Sequence, residues 1–221
     1  MNGSRVTRGK GRLEGFLARH RARMANRLIP EELRGGRIVD IGCGSYPYFL
    51  STTRFAHRFG LDRLASVGAP AAEGPTPSGA AGSAPGVAPG VQGPEGVTLI
   101  HHDLAGRTAL PFDDGSVDVV TMLAVFEHLD HDVLRHTLAE IRRILRPGGV
   151  YVLTTPAAWT DRLLRALARL GLVSAEEIEE HKDAYTHARI ADLLAHAGFD
   201  RAAMRFGTFE FGMNLWATVR R

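Results

Sequence analysis

The chain has 221 residues, one cysteine and a net charge of +3. A single cysteine excludes an internal disulfide and any Cys-x-x-Cys metal or redox motif. No apolar run is long enough to span a bilayer and the N-terminus lacks the apolar core of a signal peptide, so a cytoplasmic location is expected. Residues 1–37 hold ten Lys or Arg against three acids; the basic character is therefore local, and nucleic acid is not expected as a partner.

Residues 1–10 read as a disordered tip. From Gly11 onward, Leu13, Phe16, Leu17, His20, Met24 and Leu28 recur at helical spacing, with Arg19, Arg23 and Arg27 on a neighbouring stripe, until Pro30 ends the pattern. An amphipathic basic helix is expected, and residues 1–34 divide off as a tail and cap helix ahead of a domain at 35–221. The favoured reading is a cap packed on the domain or over its ligand. The sharper one is docking of residues 11–29 to an anionic membrane surface or a phosphate-bearing substrate. Deleting residues 1–29 and measuring liposome binding would separate the two.

The stretch GRIVDIGCG, residues 36–44, organises the rest. Ile38, Val39 and Ile41 read as a strand buried on both faces, and Gly42 and Gly44 follow at its carboxyl end, where backbone without Cβ atoms can come close to a ligand. A dinucleotide fold wants a third glycine where Pro47 stands, and it has no use for Asp40 inside the strand end. A carboxylate there repels a pyrophosphate and suits a cation. Cys43 has no base nearby in sequence and is expected to fill a tight site, not to act as a nucleophile.

Residues 46–53 begin a crossover helix, and residues 58–61 form a second strand ending at Asp62, 20 residues past Gly42. At that distance a neighbouring strand can present a carboxylate to a diol. Residues 65–96 hold six of the eleven prolines among Ala, Gly and Ser; they are expected to be a mobile insertion replacing the second crossover helix. Residues 97–100 make strand three, followed by His101, His102, Asp103 and Leu104. Residues 117–122 make strand four, ending at Met122 and Leu123, with Asp118 read as structural.

A helix capped by Asp130 or Asp132 then carries Val133, Leu134, Leu138, Ile141 and Leu145 on one face. It is stopped by Arg146, Pro147, Gly148 and Gly149 before a fifth strand at 150–154. Helices at 159–170, 174–181 and 187–197 follow, and residues 204–209 and 214–219 pair as a hairpin around Gly212.

Asp-x-Gly-x-Gly at 40–44, the Leu-x-Pro-Gly-Gly at 145–149 and the VFEHL at 125–129 together resemble the class I S-adenosylmethionine (SAM) dependent methyltransferases of the type 11 group. The resemblance covers roughly residues 37–220. It implies an α/β, Rossmann-like fold with a seven-stranded, mostly parallel sheet closed by an antiparallel hairpin, and SAM as cofactor. It implies a cofactor set of Asp40, Gly42, Cys43 and Gly44 at the amino-acid end, Asp62 and Arg63 at the ribose, Asp103 and Leu104 at the adenine, and Met122 and Leu123 at the end facing the methyl group. Two departures stand out: the family's frequent third glycine is replaced by Tyr46, and the second crossover helix is missing.

SAM carries an electrophilic methyl carbon, so a base is needed only for a hydroxyl or a protonated amine. Candidates are His128, just after strand four, and His181 with Tyr185 in a helical roof at 157–186. No metal is expected: neighbouring histidines on a strand point to opposite faces, which disfavours zinc at His101, His102 and Asp103, and no HExxH pattern supports Glu127, His128 and His131. The expected activity is methyl transfer to a small-molecule or lipid/saccharide-intermediate acceptor, oxygen slightly ahead of nitrogen or carbon. The alternative is a non-catalytic SAM-fold module that docks through its basic helix. Acceptor identity and oligomeric state are not legible.

Overall fold

The computed structural model describes residues 14–65, 87, 90–160 and 185–221. The expected tip at 1–10, most of the insertion at 65–96, the roof helix at 174–181 with His181, and all but the start of the helix at 159–170 lie outside them.

The strands are β1 (Arg37–Ile41), β2 (His57–Asp62), β3 (Val91–Gln92), β4 (Thr98–His101), β5 (Val117–Leu123), β6 (Leu145–Pro156), β7 (Met204–Phe209) and β8 (Asn214–Arg220), with β-branched runs at the centre of β1 and β5. They lie in one eight-stranded sheet of order β3-β4-β2-β1-β5-β6-β8-β7. β1, β2, β4, β5 and β6 pair in parallel, whereas β8 runs against both β6 and β7. The mostly parallel sheet with its closing hairpin is as expected. The eighth strand is β3, a two-residue edge that doubles back on Thr98 and Leu99 around the turn Pro94–Gly96. It takes residues 90–96 out of the expected mobile insertion and into the sheet.

Four helices of the described residues cover the two faces: α1 (Glu14–Leu28), α2 (Tyr48–Thr52), α3 (His131–Ile144) and α4 (His187–His196). Leu134, Leu138 and Ile141 of α3 and Ile190 and Leu194 of α4 pack with Val39, Ile41 and Val120 on one face. Ala22 and Ala25 of α1, with Ile29, Phe49 and Leu50, pack with Ile38, Val119, Val150 and Val152 on the other. At ~1.5–3 kcal/mol for each large apolar side chain fully removed from water, these two layers carry most of the drive to fold.

Three local readings need correction. The buried stripe of α1 runs through Ala22 and Ala25, not through Phe16, which is exposed; small residues let the helix lie close to the sheet. α2 is only five residues long and starts after Pro47. α3 stops at Ile144 because Leu145 turns extended and pairs with Val117, so β6 absorbs the whole Leu-x-Pro-Gly-Gly stretch.

Asp118 does the structural work expected of it. Its carboxylate accepts from the Arg37 backbone N–H at 2.7 Å and from the Arg146 guanidinium, tying the starts of β1, β5 and β6 together at the end of the sheet remote from the glycine turn. Asp118→Ala leaves a backbone donor and a cation without this partner. It is expected to cost about 2 kcal/mol in urea unfolding while leaving SAM affinity unchanged within error.

Candidate functional site

Strand order reverses between β1 and β5, with β2 and β4 stacked to one side and β6 to the other. The crevice outside the carboxyl ends at such a switch point is where open α/β sheets bind ligands. Asp40 and Thr121 face each other across this seam as register partners.

Asp40 is buried, and its Oδ1 accepts from the Thr121 hydroxyl at 2.6 Å. Burial pushes its carboxyl up to about 7; the Thr121 hydrogen bond opposes the shift and the nearby Asp62 charge adds to it. A buried acid held this far from its ordinary range gains most from a positive neighbour.

The chain then turns sharply. Gly42 (φ +79°) and Gly44 (φ +72°) both lie in the left-handed region, and the turn folds over the end of β2. The N–H groups of Gly42 and Cys43 donate to the Leu61 carbonyl at 2.7 and 3.3 Å, and that of Gly44 donates to Asp62 Oδ2 at 2.9 Å. A Cβ on Gly42 would lie 2.3 Å from Val125 Cγ2, whereas one on Gly44 would meet nothing within 4 Å. Bare backbone thus faces open space at Gly44 and the loop after β5 at Gly42. Cys43 is half-buried, its sulfur lying over the Cβ-free Gly60, which is the packing role expected of it.

Asp62 is buried at the end of β2. Besides Gly44, its other oxygen accepts from the Leu64 N–H at 2.8 Å. Two backbone donors aim this carboxylate along the strand end. Arg63 beside it is exposed. Asp103 is exposed as well and accepts from the Ala105 N–H at 3.0 Å, capping the short turn Leu104–Gly106; Leu104 packs half-buried against the core.

Met122 departs from the expectation. Its side chain is wholly buried and its sulfur accepts from the Tyr151 hydroxyl at 3.6 Å, so it serves the core, and the strand end offers backbone here. Leu123 is half-buried on the opposite, α1-facing side.

Beyond β5, Ala124 (φ +56°) bends the chain into the single turn Phe126–His128. His128 is half-buried on this turn. Tyr185 is 1 % exposed and packs edge-on against Phe126 at 4.8 Å between centroids, so its ring belongs to the core beneath the turn. It is held there by a parallel bridge to Ala157. Of the three proton-transfer candidates, His128 stands at the switch point, Tyr185 lies under it, and His181 is outside the described residues.

Sequence reasoning missed two partners. Thr121 is the hydrogen-bond donor to Asp40, a role visible only once β1 and β5 are known to be neighbours. Glu127 is buried and accepts from the Thr155 hydroxyl at 3.0 Å, anchoring the His128 turn to β6. The EH pair within VFEHL was the available signal.

The family model described as a methyltransferase domain matches residues 11–202. A probable S-adenosylmethionine-dependent methyltransferase of Mycolicibacterium smegmatis is 43% identical over 60 residues, which is 27% of this chain and 21% of that protein's length. Among solved structures, an S-adenosylmethionine dependent methyltransferase from Mesorhizobium loti superposes with a TM-score of 0.58 at 19% identity, covering 90% of this chain and 96% of that one. The phosphoethanolamine N-methyltransferase 2 of Haemonchus contortus, in complex with phosphomonomethylethanolamine and S-adenosylhomocysteine, superposes at 0.55 with 13% identity, over 91% and 53%.

The residues present fit SAM. A buried acid suits the ammonium of its amino-acid end, open backbone at Gly44 leaves room for it, and the aimed Asp62 carboxylate suits a ribose diol. With the family model spanning most of its length, the chain belongs to the methyltransferase-domain family, as a SAM-dependent methyltransferase.

Proposed function

We propose that the protein methylates an oxygen of a small-molecule or lipid/saccharide-intermediate acceptor, with His128 as general base. The observation that supports this most is His128 itself: an imidazole, half-buried, on the turn that leaves β5 next to the residue covering Gly42. Bound SAM supplies a methyl carbon already activated by its sulfonium.

The chain's own residues then have three tasks. Asp40 and the turn at 42–44 hold the cationic end, and Asp62 holds the diol; fixing donor and acceptor in line can supply ~7–11 kcal/mol of the barrier. The Phe126–His128 turn, pinned through Glu127 and Thr155, fixes the imidazole in place. His128 accepts the hydroxyl proton at a ring nitrogen as the oxygen attacks. A role as a binding module without catalysis is not favoured, because the matched family is one of methyltransferases.

The test is incubation of the purified chain with methyl-labelled SAM and fractionated metabolite and lipid extracts, followed by identification of the labelled product. A methoxy product is expected. His128→Ala should then lower kcat about a hundredfold while the SAM Kd stays within twofold. A label on nitrogen or carbon, or an unchanged kcat, would overturn the assignment.

A further inference from the structure

We infer that the edge of the sheet bearing the glycine turn is also a docking surface for an anionic lipid bilayer, made of exposed aromatic side chains backed by the arginine stripe of α1. The inference stands apart from which atom is methylated.

The exposed aromatics lie at the same end of the sheet. The Phe16 ring stacks on His20 at 6.1 Å, and His20 in turn lies 6.0 Å from the Phe209 ring and 3.0 Å, Nδ1 to Oε1, from Glu210. Glu210 and Phe211 form the turn between β7 and β8, and β8 begins opposite Pro156, at the carboxyl end of β6. Trp159 closes the row, its ring 3.9 Å from where a Cβ on Gly212 would stand. Phe16 is 56 % exposed, Trp159 59 % and Phe211 100 %. Three large aromatics facing water at one edge are costly unless something covers them.

Charge identifies what covers them. Arg19, Arg23 and Arg27 follow Phe16 along the exposed face of α1 and line a groove of about 400 Å³ with Tyr48 and Thr52. Aromatic residues favour the interfacial zone of a bilayer, and basic residues favour a surface of anionic headgroups. Single-stranded nucleic acid is also read by aromatics and arginine, but with bases stacked inside the basic groove. Here Phe16, Trp159 and Phe211 stand at the sheet edge with the arginines behind them, and the one aromatic in the basic groove, Tyr48, is half-buried. Among the described residues no helix is long and apolar enough to cross a membrane. Docking at this edge would set the switch-point crevice against the layer from which a lipid-borne acceptor is drawn.

The test is co-sedimentation of the full chain with vesicles of phosphatidylcholine alone or mixed with phosphatidylglycerol. Binding is expected only to the anionic vesicles, and high salt should weaken it. Phe16→Ser with Phe211→Ser, and separately Arg19→Glu with Arg23→Glu, should each lower partition by about tenfold or more, each basic side chain near an anionic surface being worth about fivefold. SAM affinity, measured on the same samples, should not change, which also reports that the variants are folded. In a Trp216→Phe background, Trp159 emission should shift to the blue on the anionic vesicles. The inference is overturned by equal partition of wild type and variants, by absent binding, by a dimer that Phe211→Ser dissociates, or by single-stranded RNA binding tighter than the vesicles. Loss of SAM binding with vesicle binding intact would sink the functional reading and leave this one standing.

Discussion

Asp40→Asn is expected to raise the melting temperature of the ligand-free protein at pH 8 by about 5–10 °C and to weaken SAM binding about a hundredfold or more. Burial raises the Asp40 carboxyl from 3.8 to about 7. Between those two values the folded protein keeps a proton that the unfolded chain has released. Stability from this group is therefore fully present below about pH 4, declines as pH rises towards 7 and is level above it. The integrated loss is on the order of 4 kcal/mol. Asparagine keeps an acceptor for the Thr121 hydroxyl but has no charge to desolvate, so the variant should lose the pH slope between 4 and 7 and be more stable at pH 8.

Binding moves the opposite way. A cation beside Asp40 favours the ionised form, so wild-type affinity should fall as pH drops below about 7, with a slope approaching tenfold per pH unit. Asp40→Asn should show no such slope. Calorimetric unfolding and SAM titration across the same pH series check both halves; a variant that is less stable at pH 8, or that binds SAM as wild type does, would remove the acid from its role.

The second large effect separates the two glycines of the turn. Gly42→Ala should cost about 4 kcal/mol or more in unfolding, because its Cβ would lie 2.3 Å from Val125 Cγ2 at a φ of +79°, adding overpacking to backbone strain. Gly44→Ala should cost only about 1 kcal/mol, since its φ is +72° but nothing lies within 4 Å of the added atom. Yet the methyl group of Gly44→Ala would stand where the cofactor must approach, so this variant should fold and bind SAM at least tenfold more weakly. Equal stability losses in the two variants, or normal SAM affinity in Gly44→Ala, would show that the open space is not the ligand's.

Much of this arrangement was legible from the letters. Ile38, Val39 and Ile41 could only be a buried strand, and the glycines after them a close-approach turn, because the residue types leave little choice of backbone. The position of Asp62 at the end of β2 followed from spacing alone. What escaped depended on which strands are neighbours. Thr121 looks like any β-branched strand residue until β5 is laid beside β1, and Met122 looks like a pocket residue until Tyr151 is seen donating to its sulfur. β3 escaped for another reason: Val91 and Gln92 sit in a stretch whose composition suits mobility, and the pairing with β4 came from the turn at Pro94–Gly96. On α1 the periodicity was right and the face was wrong, since alanines weigh little in an apolar pattern yet permit the closest packing.

The alanine face makes α1 part of the molecule's frame. Ala22, Ala25 and Ile29 roof Ile38, Val119, Val150 and Val152, so the element bearing the arginines is also a wall of the molecule. Excising it would strip one side of the sheet, and a failed liposome assay on such a truncation would report collapse in place of lost attraction. The arginines and the packing alanines share one segment and part only along the helix circumference, charge outward and alanine inward. Substitutions confined to the outward-facing letters leave that wall intact.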